Sequence, residues 1–167
     1  MKKLIVIRHA KSSWSDPKAA DFDRKLNERG KRDAPFMARQ LAGRTAVPDI
    51  IIASPARRAK KTAKIMADGL GYERRRIRYS DDLYHADARD LLSIVRAIDD
   101  ACDSAVLVGH NYGITDFAEQ LSGESLINIP TSGMVALDCA VEQWQQLAYG
   151  GCRLLFFDYP KNHAELR

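Results

Sequence analysis

Leu4-Ile5-Val6-Ile7 forms a continuous apolar run near the start of the chain, and the charged pair Arg8-His9 follows it directly. A short apolar run rich in β-branched residues is typical of a strand that is buried on both faces, as in a parallel sheet. Ile50-Ile51-Ile52 and Ala105-Val106-Leu107-Val108 repeat the pattern, and the later run ends two residues before His110. We therefore predict three buried parallel strands, two of which lead to a histidine.

Segments with the spacing of amphipathic helices follow the predicted strands. Asn27 is a suitable N-cap for the first helix, and Pro35 is expected to kink that helix or delay its start. Ser54 is a candidate N-cap for the second helix, with Pro55 at the first helical position and Arg58 in the first turn. Strands that alternate with helices predict a parallel sheet covered by helices.

The last part of the chain predicts a different sheet geometry. After a helix that Gly123 ends, residues 134–141 and 153–157 are predicted to be two closing strands. Such a closing pair is common where a parallel sheet acquires an antiparallel edge. The predicted fold class is α/β, a three-layer α/β/α sandwich whose sheet is mostly parallel with an antiparallel edge strand. We expect a single domain over residues 1–167.

The composition is that of an ordinary globular protein, with 46% hydrophobic and 29% charged residues among 167 and a formal net charge of +4. It argues against a disordered or low-complexity chain. The first apolar run is too short for a signal peptide or a membrane span, so we expect a cytoplasmic protein without a membrane partner. Cys102, Cys139 and Cys152 are widely spaced and form no CxxC pair, which predicts reduced thiols rather than a disulfide framework or a zinc site.

Basic residues cluster at positions 57–64 and again at positions 74–78. Clusters of this kind raise the question of an acidic partner. Nucleic-acid binding would call for aromatic side chains interleaved with the basic ones, or for a recognition helix, and the sequence has neither. We therefore expect no nucleic-acid partner and leave open a phosphorylated protein or a small phosphorylated molecule.

Polar side chains stand at the ends of the predicted strands, where α/β sheets bind their ligands. Arg8-His9 ends the first strand, Arg58 lies at the start of the helix after the second, and His110 follows a later strand. Arginine and a helix N-terminus together favour phosphate. A lone histidine beside a strand is more often a core residue than a catalyst. Two histidines and two arginines at equivalent positions, without an aspartate cluster for a metal, favour metal-free phosphoryl transfer.

Three motifs make this interpretation specific: Arg8-His9-Ala10-Lys11-Ser12, Ser54-Pro55-Ala56-Arg57-Arg58-Ala59 and Gly109-His110-Asn111. They resemble motifs of the histidine phosphatase superfamily, and the first, continued by Ser13-Trp14, is similar to that of SixA-type phosphohistidine phosphatases. Residues 27–30 and 129–133 also match segments of such proteins, so the resemblance covers nearly the whole chain. It implies a fold like that of phosphoglycerate mutase.

The resemblance also implies a role for each residue of the site. His9 is expected to be the nucleophile that takes the phosphoryl group, while Arg8, Arg58 and His110 hold its oxygens without a metal or other cofactor. Two guanidiniums and an imidazole supply the positioning and charge neutralisation that phosphoryl transfer needs. His9 has to be neutral to attack, and we expect its cationic neighbours to disfavour its protonation.

The chain departs from the family pattern in two places. Ala10 stands where the family usually has glycine after the Arg-His pair, a small change that the same turn tolerates. His85 stands where the family usually has an acidic proton donor, and Asp81, Asp82 and Asp87 lie nearby, so the donor stays open. Because phosphohistidine can lose an imidazole without a carboxylic acid, this departure favours a substrate with an N–P bond.

The chain length bears on the substrate as well. At 167 residues there is no room for the insertions that cover small-molecule sites in larger relatives, so we expect a shallow pocket open to a protein. Lys11, Ser12 and His85 are candidate substrate-binding residues, with Ser12 preferred for the phosphate, and Trp14 is either a lid or a recognition residue. Residues 131–133 predict either a turn that lines the same edge or the start of a strand.

Several functions fit these features to different degrees. The leading hypothesis is a metal-independent phosphatase that acts on phosphohistidine in a protein. The main alternative is a phosphomonoesterase for a small metabolite, and a mutase fits less well because the acid and the covering segments are missing. A module that binds phosphoproteins without turnover would have no need of both Arg8 and His9. The sequence carries no signal for an oligomeric state.

Overall fold

The computed structural model describes residues 1–167, which build one six-stranded sheet in the order β3-β2-β4-β1-β5-β6. The strands are β1 (Lys2–Arg8), β2 (Ile50–Ala53), β3 (Arg78–Tyr79), β4 (Ser104–Gly109), β5 (Met134–Cys139) and β6 (Cys152–Asp158). The first four strands are parallel to one another, whereas β5 and β6 run antiparallel to their neighbours. The predicted α/β class, with a mostly parallel sheet and an antiparallel edge, is confirmed.

Four α-helices cover the two faces of the sheet: α1 (Glu28–Ala42), α2 (Arg57–Leu70), α3 (Ala88–Arg96) and α4 (Gly113–Ser122). Because alternate residues of a strand face opposite sides, β1 contributes to two cores. Leu4 and Val6 belong to the core that contains residues of α3 and α4, and Ile5 and Ile7 to the core under α1 and α2. The result is the predicted three-layer arrangement. None of these helices combines the length and the apolar character that a membrane span requires.

Helix α1 begins where the sequence predicts. The Asn27 side chain accepts a hydrogen bond from the Gly30 backbone N–H at 2.9 Å, which caps the first turn. The helix starts at Glu28 and includes Pro35, so the expected delay of its start is wrong. The cap and a buried face formed by Ala34, Met37, Ala38 and Leu41 outweigh the one backbone hydrogen bond that proline cannot donate.

Helix α2 begins later than the sequence predicts. Its first residue is Arg57, and Ala56 occupies the N-cap position without a side-chain cap, so the assignment of Ser54 as N-cap is wrong. Ser54 is fully buried, and its hydroxyl accepts from the Ala56 N–H at 3.2 Å and contacts His110 Nε2 at 2.8 Å. The hydroxyl therefore accepts from a backbone N–H within the turn that precedes the helix, and Arg57 is the first helical residue. Arg58 still lies in the first turn, as predicted.

Cys139 and Cys152 form a disulfide, so the expectation of reduced thiols is wrong for these two residues. They face each other in the antiparallel register of β5 and β6, with their Cα atoms 4.1 Å apart. A separation of 13 residues in sequence does not reveal that register. Cys102 is a free thiol.

Candidate active site

Three side chains meet at the carboxyl ends of β1, β2 and β4. His9 follows β1 and His110 follows β4, and these strands are parallel neighbours with Arg8 opposite Gly109. The two imidazole rings therefore lie side by side, with their centroids 5.1 Å apart. Arg58 reaches the same place from the first turn of α2, which follows β2 on the other side of β4. Residues about 100 positions apart in sequence thus form one cluster, as the strand-end argument predicts.

Close packing fixes the segment that carries His9. The Ala10 backbone N–H donates to Thr62 Oγ1 at 2.9 Å, and the same hydroxyl donates to the Arg58 carbonyl at 2.7 Å. Gly30 lies so close to the other side of this segment that a Cβ there would come within 2.2 Å of the Lys11 carbonyl. The turn after β1 is therefore held between α1 and α2, which fixes the position of His9 relative to Arg58.

His9 is held in one tautomer. Its ring is almost completely buried, and Nδ1 lies 2.8 Å from the Ala10 carbonyl oxygen. Because a carbonyl only accepts hydrogen bonds, Nδ1 carries the proton and Nε2 carries a lone pair. The Arg58 Nε–H donates toward that lone pair at 3.4 Å. His9 therefore presents an unprotonated Nε2 to a guanidinium.

The Arg58 guanidinium uses two different edges. Nε faces His9 Nε2 and Nη2 faces His110 Nδ1, each at 3.4 Å. On the outer edge, Nη1 donates to the Asp21 carbonyl at 2.6 Å and Nη2 donates to Asp21 Oδ2 at 3.0 Å. Since arginine only donates, His110 Nδ1 is the acceptor and its Nε2–H donates to Ser54. Arg58 thus joins both histidines to Asp21.

Arg8 supplies a second guanidinium. Its Nη1 donates to the Ile129 carbonyl at 3.1 Å, while its Nε is buried and has no hydrogen-bond partner. Its charge contributes to lowering the pKa of both His9 and His110. A buried donor without a partner is costly unless a ligand satisfies it, and an anion is the natural ligand of a guanidinium.

Residues 130–133 form a turn rather than the start of a strand. The Ser132 backbone N–H lies 3.2 Å from the carbonyls of both Arg8 and His9, and the Gly133 N–H donates to Pro130 at 2.8 Å. Ser132 has a φ of 61°, and its buried hydroxyl has no hydrogen-bond partner. The turn therefore lies against the strand end that carries Arg8 and His9, and β5 begins only at Met134.

Burial controls the protonation of the two histidines. It lowers the pKa of His9 to about 3, and the neighbouring charges of Arg58 and Arg8 act in the same direction with smaller effect. Burial also lowers the pKa of His110 to about 4, with Arg58 as the next cause. Both rings are therefore neutral near pH 7. The sequence argument named the cationic neighbours, but removal from water is the larger cause.

We expect the His9 and His110 rings to stay neutral from pH 8 down to about pH 5, whereas an unperturbed imidazole titrates near pH 6.5. Ring ¹⁵N chemical shifts followed by NMR measure this, with the urea-unfolded chain as the control. The unfolded chain binds these protons near pH 6.5, whereas the folded chain binds them only near pH 3 to 4. Acidification from about pH 6.5 to about pH 4 therefore favours unfolding. A titration of the folded His9 ring near pH 6.5 would contradict the geometry.

The remaining predicted site residues lie around this cluster. Lys11 borders a cavity of about 320 Å³ beside Arg8, which we call the basic recess and which is also lined by Arg29, Arg32, Thr131 and Lys161. Ser12 is buried, and its backbone pairs with Leu26. Trp14 is largely exposed and its ring stacks on Arg24 rather than covering the site. Lys11 and Ser12 remain predictions as substrate ligands.

His85 lines a second cavity, of about 290 Å³, next to His110. We call it the aromatic recess; its walls include Asp21, Arg58, Tyr84, His85, His110 and Tyr112. The rings of Tyr84 and His85 are stacked with centroids 4.1 Å apart, and Tyr84 also lies against His110. His85 therefore lies beside the site, and its role in substrate binding stays a prediction.

The carboxylates near His85 in sequence do not line this recess, whereas Asp21 does. Asp87 caps α3 by accepting from the Asp90 N–H at 2.9 Å, and Asp81 and Asp82 are exposed. Asp21 lies in the loop between β1 and α1, a segment without periodicity or motif. Sequence reasoning missed Asp21 because only the path of that loop over α2 brings it to Arg58.

Known proteins share both the sequence pattern and the fold. The family model of the histidine phosphatase superfamily (branch 1) matches residues 4–91. An uncharacterised protein of Mycobacterium leprae is 32% identical over 169 residues, covering 93% of this chain and 100% of that protein. A solved structure from Agrobacterium tumefaciens, provisionally identified as the phosphohistidine phosphatase SixA, is 32% identical with a TM-score of 0.81, covering 95% of this chain and 98% of that one. A structure of the protein histidine phosphatase SixA with tungstate has the same fold, with a TM-score of 0.81 at 19% identity over 96% and 98% of the two chains.

Proposed function

The chain belongs to the histidine phosphatase superfamily and is a phosphatase, and from that premise we propose that it removes the phosphoryl group from phosphohistidine in a protein. The observation that carries the proposal is the His9 ring, with its Nδ1 on the Ala10 carbonyl and its unprotonated Nε2 beside Arg58. A neutral imidazole whose Nε2 carries no proton is a competent nucleophile toward phosphorus. No metal or other cofactor enters the proposed reaction.

The proposed reaction has two steps. In the first, the His9 Nε2 lone pair forms a bond to phosphorus while the substrate's P–N bond breaks and its electron pair returns to the substrate nitrogen. In the second, water attacks phosphorus and His9 leaves as a neutral imidazole that keeps its Nδ1 proton on Ala10. Water adds an oxygen and two protons to the phosphoryl group, which leaves as inorganic phosphate. His9 needs no change of tautomer in either step.

Charge neutralisation comes from the arginines. The free Nε–H of Arg8 and the Nε and Nη2 edge of Arg58 are the donors available to a phosphoryl group beside His9. A fixed guanidinium stabilises the spread negative charge of the transferring group without reorganisation. His110 is neutral and its Nε2–H donates to Ser54, so in this arrangement it contributes by orienting Arg58 Nη2 rather than by neutralising charge. These donors support a reaction that depends on positioning and charge neutralisation rather than on a general acid.

The acid chemistry of the site supports an N–P substrate. The carboxylate nearest to Arg58 is Asp21, and its hydrogen bond from Tyr84, together with Arg58, lowers its pKa to about 2. An ionised carboxylate cannot protonate the alkoxide-like oxygen that a phosphomonoester expels. A phosphohistidine ring that is protonated on its other nitrogen leaves as neutral imidazole and needs no such donor. His85 offers an imidazole at the rim in place of the usual acid.

A small phosphorylated metabolite is the second candidate substrate, and the basic recess favours it. Lys11, Arg29, Arg32 and Lys161 line this cavity next to Arg8, so a second anionic group of a small molecule would find cations there. The aromatic recess, with the largely exposed Tyr112 on its wall, favours instead a ring that projects from a protein surface. The basic recess therefore favours a small metabolite, whereas the aromatic recess favours a phosphohistidine in a protein.

A comparison of turnover at equal substrate concentration separates these candidates. The substrates are a phosphorylated histidine phosphocarrier, phosphoserine, a sugar phosphate and a nucleoside monophosphate. We expect kcat/KM for the phosphohistidine protein to exceed that for each small monoester by at least about 100-fold, because kcat/KM reports how well the site binds each transition state. Phosphate release in buffer with EDTA is the measurement. A higher kcat/KM for any small monoester would overturn the proposed substrate and favour the metabolite.

A further inference from the structure

Asp21 is an ionised carboxylate at the edge of the proposed phosphoryl site, beside Arg58. It lies in a single turn of 3-10 helix, Asp21–Asp23, within the loop between β1 and α1. Its Oδ2 accepts from Arg58 Nη2 at 3.0 Å and from the Tyr84 hydroxyl at 2.5 Å, and its Oδ1 accepts from Arg24 Nε at 3.2 Å. About half of the side chain is exposed. Asp21 is thus held in place and still accessible from the aromatic recess.

The position of this charge restricts what can leave the site. The histidine-facing edge of Arg58, whose contacts with His9 and His110 are both 3.4 Å long, is the edge proposed to hold the phosphoryl group, and the opposite edge carries Asp21. A leaving group that passes from the phosphoryl group into the aromatic recess therefore meets a carboxylate. An ester oxygen has no hydrogen to donate there and is repelled, because a carboxylate only accepts. A leaving group with an N–H is attracted.

We propose that Asp21 accepts a hydrogen bond from the ring N–H of the substrate's phosphohistidine and so selects a protonated imidazole as the leaving group. This inference rests on the proposed function and assigns its leaving-group specificity to one residue. With the distal ring nitrogen protonated, cleavage of the P–N bond returns the electron pair to the phosphorylated nitrogen, and the product is neutral imidazole. The N–H on Asp21 is neither lost nor transferred, so no proton donor is needed.

The walls of the aromatic recess suit a flat ring in this position. Tyr84 stacks on His85, lies with its centroid 5.6 Å from that of His110, and meets Phe22 edge-on at 5.1 Å. Aromatic side chains favour a flat ring as a partner, either stacked or edge-to-face. A protonated imidazole is also attracted to aromatic faces. The same tyrosine that forms the wall fixes Asp21 through its hydroxyl.

The proposed contact repeats an arrangement that the site already contains. His9 keeps its Nδ1 proton on the Ala10 carbonyl, so its ring is neutral before Nε2 gains the phosphoryl group and neutral again after Nε2 loses it. Asp21 would hold the corresponding N–H of the substrate ring. Each of the two imidazoles that exchange the phosphoryl group then has an oxygen acceptor on its far nitrogen.

Asp21→Asn tests the proposal, because an amide oxygen can still accept from Arg58 while the charge is removed. We expect kcat/KM for the phosphohistidine protein to fall by about 10- to 30-fold, the usual effect of losing a hydrogen bond to a charged group. We expect kcat/KM for p-nitrophenyl phosphate to rise, by up to about threefold, because repulsion of the leaving oxygen is removed. Asp21→Ala should shift the ratio of the two kcat/KM values in the same direction, with lower activity overall.

Asp23→Asn is the matched control, since Asp23 is an exposed acid two residues away that makes none of these contacts. It should change neither activity. If Asp21→Asn lowers both activities equally and weakens inhibition by inorganic phosphate, Asp21 only orients Arg58 and the proposal is overturned. If the variant leaves phosphohistidine turnover intact, the proposal is also overturned. A wild-type protein that fails to hydrolyse phosphohistidine instead refutes the proposed function, and this inference with it.

Discussion

We expect His9→Ala to lose at least about 10⁴-fold in kcat for every phosphorylated substrate, because removal of the proposed nucleophile leaves only the charge stabilisation of the arginines. The fold survives, since the strand before His9 is held by β4 and β5 on its two sides. Turnover of p-nitrophenyl phosphate in EDTA and of a phosphohistidine protein measures the loss. Rapid quenching with ³²P-labelled substrate should trap an acid-labile phosphoenzyme in the wild type and none in the variant.

His163→Asn is the control for this experiment, because His163 contacts the Asp158 carboxylate at 2.9 Å and has no contact with Arg58. It should retain activity within about threefold, as expected for a substitution away from the reacting atoms. Residual turnover above one hundredth of wild type in His9→Ala would show that another group attacks phosphorus. Tight phosphate binding without turnover in the wild type would indicate a binding module instead.

Arg58→Ala lowers kcat/KM by about 10³-fold, because both the donors beside His9 and their fixed charge disappear. Arg58→Lys keeps the charge but loses the guanidinium that joins His9, His110 and Asp21, so we expect a loss of at least about 100-fold. Steady-state kinetics with p-nitrophenyl phosphate and the inhibition constant of inorganic phosphate give both effects.

Arg57 offers a matched control one residue away. It has the same charge on the same helical turn, but it is exposed and does not line the aromatic recess. Arg57→Ala should therefore leave kcat/KM within about twofold of wild type, as is usual for a surface substitution. Equal losses in the two alanine variants would mean that net charge, and not the fixed guanidinium of Arg58, supports the reaction.

The apolar runs predicted the part of the molecule that depends on regular structure. Buried strands have a simple pattern, and the carboxyl ends of parallel strands share one edge, so the sequence alone predicts that His9, His110 and Arg58 lie close together. The same reasoning placed the antiparallel edge. It failed for Ser54, which lies two residues before the N-cap Ala56 and whose hydroxyl contacts a histidine more than 50 residues away.

Features that depend on irregular backbone or on strand register could not be predicted from the sequence. Asp21 lies in a loop whose path is set by contacts with α2, and no spacing in the sequence encodes that path. The Cys139–Cys152 disulfide depends on which residues of β5 and β6 face each other. Pro35 indicated a break that the rest of the helix overrides. In each case, long-range packing decides the outcome and local preference does not.

The division of the site between sheet and loop has a consequence for how such proteins diversify. His9 and His110 are anchored to two interior strands, where a slip of one residue would turn each side chain to the opposite face and disrupt both cores. Asp21 belongs to a surface loop that can change in length or composition at little cost to folding. We therefore expect that changes in the loop can alter substrate preference, while the positions of His9 and His110 stay fixed by the sheet.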